Sequence, residues 1–324
     1  MTELRFGQAI NKALADAMAA DESVILFGED IAEPGGPFGV TRGLRKRFGE
    51  LRVRDTPISE GVISGAAVGA ALSGLRPVLE IMFMDFTTLA MDALVNQAAK
   101  AHFMFGGQAS VPMVLRTPHG GGLSAGPQHS QCLEAWFAHV PGLKVACPSN
   151  PADAYGLLRA AIEDPNPVIF VENKALYALK GEVADDAGAE PLGSARTARV
   201  GRDVTVVSYG ATVATALQAA EALSGDGIEA EVIDLRTVQP WDRDAVLASL
   251  ARTHRLAIAH EAVEAFGVGA EIAAAMADIG FYELDGPIVR VGAPFAPVPF
   301  AKTVEAAYIP GPDDIVRAVR RSME

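Results

Sequence analysis

The sequence predicts an α/β protein with largely parallel sheets, organised as two doubly wound domains, and three observations carry that prediction. Short β-branched or apolar runs alternate with longer Ala-rich stretches of helical pattern. The alternation lapses once, in a polar, turn-rich segment without period, and then restarts. The chain, at 324 residues, also exceeds what one hydrophobic core usually serves.

The first set of strands is expected in "RPVLEIMF" (76–83), "VPMVLRTP" (111–118), "LKVACPS" (143–149) and "PVIFVEN" (167–173). After "VENKALY" the chain turns into "KGEVADDAGAEPLGSART", which reads as a connection between domains. The pattern resumes with "VTVVSYG" (204–210), "AEVIDLRTV" (230–238), "RLAIAHEAV" (255–263) and "PIVRVGAP" (287–294). The predicted division is a first domain over 1–185, a connection over 186–198 and a second domain over 199–324.

Composition excludes several classes. Half of the residues are hydrophobic, which rules out extended disorder, and the net charge of -13 argues against binding nucleic acid or an anionic membrane by bulk electrostatics. Cys132 and Cys147 sit in apolar stretches without a C-x-x-C spacing, so neither a disulfide framework nor a zinc site is suggested, and a reducing cytoplasm fits best. The opening "MTELRFGQAI" lacks a signal-peptide pattern, and every apolar run is broken before membrane-spanning length.

Two stretches imitate known sites. "HGGGLSAG" (119–126) contains a G-x-S-x-G match around Ser124, the signature of a serine hydrolase. That chemistry needs the serine on a sharp turn directly between strand and helix, whereas Ser124 follows its strand by six residues, so a flexible glycine-rich loop near a site is the better account. "GDG" (225–227) opens like a diphosphate and Mg²⁺ motif but lacks the Asn about thirty residues on that would complete an oxygen-rich coordination sphere. "SGDGIEAEV" therefore reads as an ordinary helix stop and strand start.

Glu60 lies in "DTPISEGVISG" (55–65), between a proline-stiffened approach and a run of small apolar residues. As a bare residue it is either an acid favoured by a helix N-terminus or a functional carboxylate. Gly61, Gly65 and Gly69 then recur every four residues, a stripe that suits tight packing inside the fold or against a helix of another chain. Among the histidines, His102, His139 and His254 fall in helical or helix-end patterns, while His119 and His129 flank the glycine-rich loop. His129 stands where that loop gives way to a helix, as a backbone-bonded helix-terminal residue or as a group facing a ligand beyond the strand ends.

Taken together, "FGED" (27–30), "DTPISE" (55–60), "GAAVGAALSGLRPVLEIMFMDF" (65–86), "NQAAK" (96–100), "QHSQ" (128–131), "PGLKVACPSNPADA" (141–154), "NPVIFVENK" (166–174), "VIDLRTVQPWD" (232–242) and "PFAPVPFAK" (294–302) resemble one family across nearly the whole chain. It is the β chain of the decarboxylating first component of 2-oxo acid dehydrogenase complexes, in the transketolase-like superfamily. The resemblance implies a pyrimidine-binding domain followed by a transketolase C-terminal-like domain. It implies thiamine diphosphate shared with an α chain that carries the complete GDG…N motif and Mg²⁺, in an α₂β₂ heterotetramer. By match, Glu60 would hydrogen-bond the pyrimidine N1′, Ile58 would lie under the bent cofactor, Phe86 would stack on the pyrimidine, and His129 would face the thiazolium and assist acyl transfer. A carboxyl set among Ile58, Val62 and Ile63 would hold a shared proton. Met113, Ala161, Ile162, Asp164 and Asn166 match a potassium-binding loop, for which an ordinary helix-to-strand turn is the alternative. The second domain is expected to dimerise β chains and dock the acyltransferase core. The implied reaction is decarboxylation of a 2-oxo acid with transfer of the acyl group to lipoamide. "IMFMDF" and "HFMFGG" resemble the acetoin dehydrogenase branch as well as pyruvate enzymes.

Overall fold

The computed structural model describes residues 1–324, which separate into two compact units: Met1–His119 with Trp136–Leu192, and Gly120–Ala135 with Gly193–Glu324. The glycine-rich segment 120–135 thus groups with the second unit although the chain around it belongs to the first.

In the first unit the chain runs β1 (Thr2–Arg5), α1 (Phe6–Ala20), β2 (Val24–Gly28), α2 (Leu44–Phe48), β3 (Val53–Asp55), α3 (Glu60–Leu72), β4 (Arg76–Glu80), α4 (Ala99–Met104) and β5 (Val114–His119). A 3₁₀ segment (Met84–Ala90) and a π-helical one (Asp92–Ala98) lie between β4 and α4. After α5 (Glu134–Ala138), which spans the division, come β6 (Lys144–Ala146), α6 (Pro151–Glu163), β7 (Val168–Asn173) and β8 (Lys180–Val183). Strands β6-β7-β5-β4-β2-β3 are neighbours in that order, every pair parallel. The central strands β5 and β7 are buried along their whole length, as a parallel sheet covered on both faces requires. β1 and β8 form a separate antiparallel ribbon.

Helix α1 buries Phe6, Ala9, Ile10, Ala13, Leu14 and Ala17, spaced by three and four residues, and packs that stripe on α6. The start of α6 is written in "SNPADA": the Asn150 side chain accepts a hydrogen bond from the Asp153 amide, and Pro151 occupies the first helical turn, where its missing N–H costs nothing.

The second unit contains β9 (Arg196–Arg199), β10 (Val204–Ser208), α7 (Thr212–Gly225), β11 (Ala230–Asp234), β12 (Thr237–Gln239), α8 (Arg243–Thr253), β13 (Leu256–Val263), α9 (Val268–Ile279), β14 (Val289–Ala293), α10 (Lys302–Tyr308) and α11 (Pro312–Ser322). Its sheet has the order β14-β13-β10-β11-β9, parallel except for the edge strand β9. Val204, Val206, Val232 and Val291 pack with Ala216, Ala220 and Leu223 of α7 and Ile315 and Val319 of α11. Asp226 and Gly227 form the turn that ends α7, with the Asp226 amide donating to Leu223 O at 2.9 Å, and Asp226 Oδ2 is paired with Arg320.

No helix is long and apolar enough to cross a membrane.

Candidate active site

In the first unit, β2 and β3 deliver the chain to the candidate carboxylates. Gly28 closes β2, and a Cβ there would stand 2.6 Å from Glu80 O, so only glycine lets β2 pair so closely with β4 at this point. Asp55 Oδ1 accepts from the Ala32 amide at 2.7 Å, and the Thr56 amide donates to Gly28 O at 3.0 Å. These bonds fix the approach Pro57-Ile58-Ser59, after which Glu60 begins α3 at its dipole-favoured end.

Glu60 is 6% exposed, and its carboxylate takes no hydrogen bond from the chain. Its companion is not the apolar set that the sequence suggests. Ile58 is 80% exposed and Val62 69%, so of the three expected neighbours only Ile63 is buried. The physical reason is the helical period: with Glu60 facing inward, Val62 lies two residues on and points away, whereas Ile63 returns to the inner face. Beside Glu60 sits a second acid, Glu29. Burial, and secondarily the charge of Glu60, push the Glu29 carboxyl up from its ordinary value, against a hydrogen bond from the Ser59 amide. Glu29 Oε1 is buried with no partner. Two acids with acceptor atoms to spare suit a heterocycle carrying N–H groups, which is the fit a pyrimidine requires.

Phe86 is half-buried in the 3₁₀ segment and belongs to a row of aromatic rings. Its ring meets Phe83 edge-on at 6.0 Å, Phe83 meets Phe38 at 6.0 Å, and Phe38 stacks on Tyr177 at 4.7 Å. The Tyr177 hydroxyl donates to Glu172 Oε2 at 2.7 Å, and Glu172 receives a bidentate pair of bonds from Arg116, which also donates to Glu80 at 2.7 Å. All three charged residues are buried. Burial opposes the Arg116 charge, but Glu172 and Glu80 outweigh it and hold the guanidinium protonated. Burial pushes the Glu80 carboxyl up, Arg116 opposing, and drives the Tyr177 hydroxyl well up. Sequence reasoning missed both Glu29 and this cluster; the available signal was a charge closing or interrupting each apolar run, in "FGED", "RPVLE", "VLR" and "FVE".

The potassium candidates gather around the end of α6, apart from Met113, which precedes β5 and whose carbonyl accepts from the Val168 amide at 3.0 Å. Ile162 O accepts from Arg76 Nη1 at 2.7 Å, with Asp164 O at 3.4 Å from the same atom. The Asp164 carboxylate is paired with Lys144 and accepts from the Asn166 amide at 2.8 Å. Two fixed side-chain cations therefore already serve acceptors of this turn, and the loop's one carboxylate has its charge balanced.

Within α3, a Cβ on Gly65 or Gly69 would meet nothing within 4 Å, while one on Gly61 would approach Leu89 O at 3.1 Å. Close packing inside the fold thus explains Gly61 alone, and the rest of the stripe is open in this chain.

In the second unit, His129 is half-buried in a turn five residues before α5, not at the helix start. Its amide donates to Gly126 O at 3.3 Å. The loop ahead of it is fastened by acids: Gly121 N donates to Glu261 Oε1 at 2.6 Å, Gly122 N to Glu305 Oε1 at 3.0 Å, and Ser124 N to Glu305 Oε2 at 2.9 Å. The Ser124 hydroxyl also faces Glu305, and no helix follows it until Glu134, so the nucleophile elbow of a hydrolase is absent. His260, which the motifs did not single out, is wholly buried, shares Nδ1 with Ala262 O at 3.1 Å, and has its pKa pushed down by that burial.

Two family descriptions match, "Transketolase, pyrimidine binding domain" over residues 2–180 and "Transketolase, C-terminal domain" over residues 193–315. A solved "Split gene transketolase, inactive beta4 tetramer" superposes with a TM-score of 0.83 at 22% identity, covering 99% of this chain and 98% of that one, which establishes the fold. The class is therefore a transketolase-type enzyme chain of pyrimidine-binding and C-terminal domains. Among curated relatives, the chain is 46% identical to "Pyruvate dehydrogenase E1 component subunit beta-2, mitochondrial" of Oryza sativa subsp. japonica, over 99% of this chain and 86% of that one. It is 49% identical to "Acetoin:2,6-dichlorophenolindophenol oxidoreductase subunit beta" of Bacillus subtilis, over 97% and 95% respectively. The chain belongs to the family of β subunits of the first, oxidoreductase component of 2-oxo acid dehydrogenase complexes.

Proposed function

We propose that the chain is the β subunit of an α₂β₂ thiamine diphosphate enzyme that decarboxylates a 2-oxo acid and passes the acyl group to lipoamide on an acyltransferase core. The observation that carries this reading is Glu60: a buried carboxylate at the start of α3, without an internal donor and beside a second acid. The cofactor, when bound, supplies the carbon that adds to the substrate carbonyl and stores the electrons released on decarboxylation.

The residues of this chain do the rest. Glu60 would hold a proton at the N1′ atom of the bound pyrimidine. Phe86, braced by Phe83, offers its ring to the pyrimidine, and exposed Ile58 offers an apolar surface beneath the cofactor. His129 moves a proton during transfer to the lipoyl sulfur. Diphosphate and Mg²⁺ fall to the α chain, since the turn at Asp226 ends a helix and its carboxylate is spent on Arg320. The pyrimidine-binding unit is assigned to 1–185 and the C-terminal unit to 199–324, joined by 186–198, with the C-terminal unit docking the core. A potassium ion at Met113, Ala161, Ile162, Asp164 and Asn166 would rest on backbone carbonyls, because the Asp164 charge is met by Lys144. A cytoplasmic setting goes with the bacterial relatives.

Acetoin in place of a 2-oxo acid is the second reading, favoured by the 49% identity to the Bacillus subtilis subunit. Purified heterotetramer offered pyruvate, branched-chain 2-oxo acids and acetoin tests both: turnover of acetoin alone overturns the first reading, and turnover of none overturns the pair.

A further inference from the structure

We propose that Glu305 is a positioning residue, which fixes the glycine-rich loop 120–126 and through it orients His129 for acyl transfer. This deepens the role given to His129 above and rests on it.

The loop cannot hold itself. Gly120, Gly122 and Gly126 all take positive φ, at 87°, 93° and 75°, and Ser124 joins them at 54°. Such a run has many backbone states open to it, so one of them must be selected from outside. Glu305 supplies the selection from α10, 181 residues further along the chain from Ser124. Its side chain is buried, 2% exposed, and both carboxylate oxygens are spent on the loop: Oε1 on Gly122 N, Oε2 on Ser124 N and on the Ser124 hydroxyl at 3.3 Å. No Lys or Arg neutralises it. A buried carboxylate answered only by N–H and O–H donors is held by those donors as firmly as it holds them.

Three further contacts flank this latch, and the last two lie on the His129 side of it. Glu261, at the end of β13, takes Gly121 N at 2.6 Å, so two successive loop amides end on acids. Phe300 closes over Gly126, where a Cβ would lie 2.1 Å from the ring, and the Gly126 carbonyl accepts from the His129 amide at 3.3 Å. The histidine is thus three residues past a glycine over which the Phe300 ring leaves no room for a side chain.

The test uses the assembled α₂β₂ enzyme with E305Q, E305D and H129A. An amide at position 305 presents N–H to at least one loop N–H, so E305Q breaks the latch while keeping its shape. Three measurements are made: cofactor C2 hydrogen–deuterium exchange, acyl transfer to lipoamide as a function of pH, and amide exchange of the peptide spanning 120–129.

E305Q is expected to keep C2 exchange within about twofold and to speed amide exchange in the loop. Its kcat for transfer should fall about tenfold to a hundredfold, the scale of a misplacement of about 1 Å, with KM for the 2-oxo acid unchanged. E305D, which retains the charge on a shorter arm, should recover part of the loss, and the pH limb of transfer that H129A abolishes should move in E305Q.

A loosened loop with wild-type transfer overturns the proposal. So does a joint fall of C2 exchange, cofactor affinity and transfer, which would make Glu305 structural. If E305Q does not assemble, the same two outcomes are read from E305D. Wild-type transfer in H129A overturns the role of His129 itself, a failure visible separately from any result at position 305.

Discussion

Glu60 and Glu305 are the same residue type at nearly the same burial, one at the first turn of α3 and the other within α10, yet their surroundings are opposites. Glu305 receives three donors from one loop, whereas Glu60 receives none from the chain and has another acid beside it. A saturated carboxylate spends its charge on holding structure, whereas an unsaturated one leaves its acceptor atoms open. The same contrast separates the Arg116 cluster, where every charge is answered, from Glu29, which retains an unpaired oxygen.

Four measurements break or sharpen that contrast. The largest effect is expected at Glu60. Replacement by Gln preserves size and removes proton sharing, so C2 exchange in the assembled enzyme should slow by about 10²–10⁴-fold or more; wild-type exchange would sink the assignment. At the saturated extreme, Arg116→Met strands Glu80 and Glu172 in the core and should cost about 3–5 kcal/mol in urea unfolding. An unchanged midpoint would show that the cluster contributes nothing to folding.

The third effect is smaller and belongs to the site as a whole. This chain alone should show no thermal shift with thiamine diphosphate and Mg²⁺, while the mixture with an α chain should gain about 2.7 kcal/mol at a hundredfold excess over Kd. Micromolar binding to the lone chain by calorimetry would place the diphosphate ligands here after all.

The fourth is a slope. Because the Glu29 pKa is raised on folding, the native state binds more protons than the unfolded state between the ordinary carboxylate value and the raised one. The Glu29 contribution to stability therefore falls as pH rises through that window and is most favourable below it. Glu29→Gln should remove this slope, gaining on wild type as pH increases; parallel curves for the two proteins would show that Glu29 titrates normally.

How much of this was legible follows the distance over which each cause acts. Strands such as β4, β5, β7, β10 and β13 were legible because each contains a local apolar run, whereas β2 and the three-residue β3 were not predicted, and α6 was marked by the adjacent cap and proline in "SNPADA". The candidate residues Glu60, Phe86 and His129 came from motif matches, but their settings did not. Ile58 and Val62 looked like a pocket in sequence and are exposed, since neighbours along a helix start need not share a face. The Arg116 bonds join residues 36 and 56 apart, and those of Glu305 join residues 181 and 183 apart. Pairings of that range depend on the register of strands and the packing of α10, which no window of sequence contains.

The exposed apolar side chains around Glu60 also have a meaning for the life of the chain in a cell. Ile58, Val62 and Leu89 are exposed, and elsewhere so are Phe103, Met104 and Phe105 at and just past the end of α4. Surface of that kind attracts chaperones and proteases as readily as it attracts a proper companion. A cell that makes this polypeptide in excess should lose the surplus to quality control, so that synthesis in matched amounts becomes a condition of its survival; a pulse-chase half-life as long without an α chain as with one would contradict this.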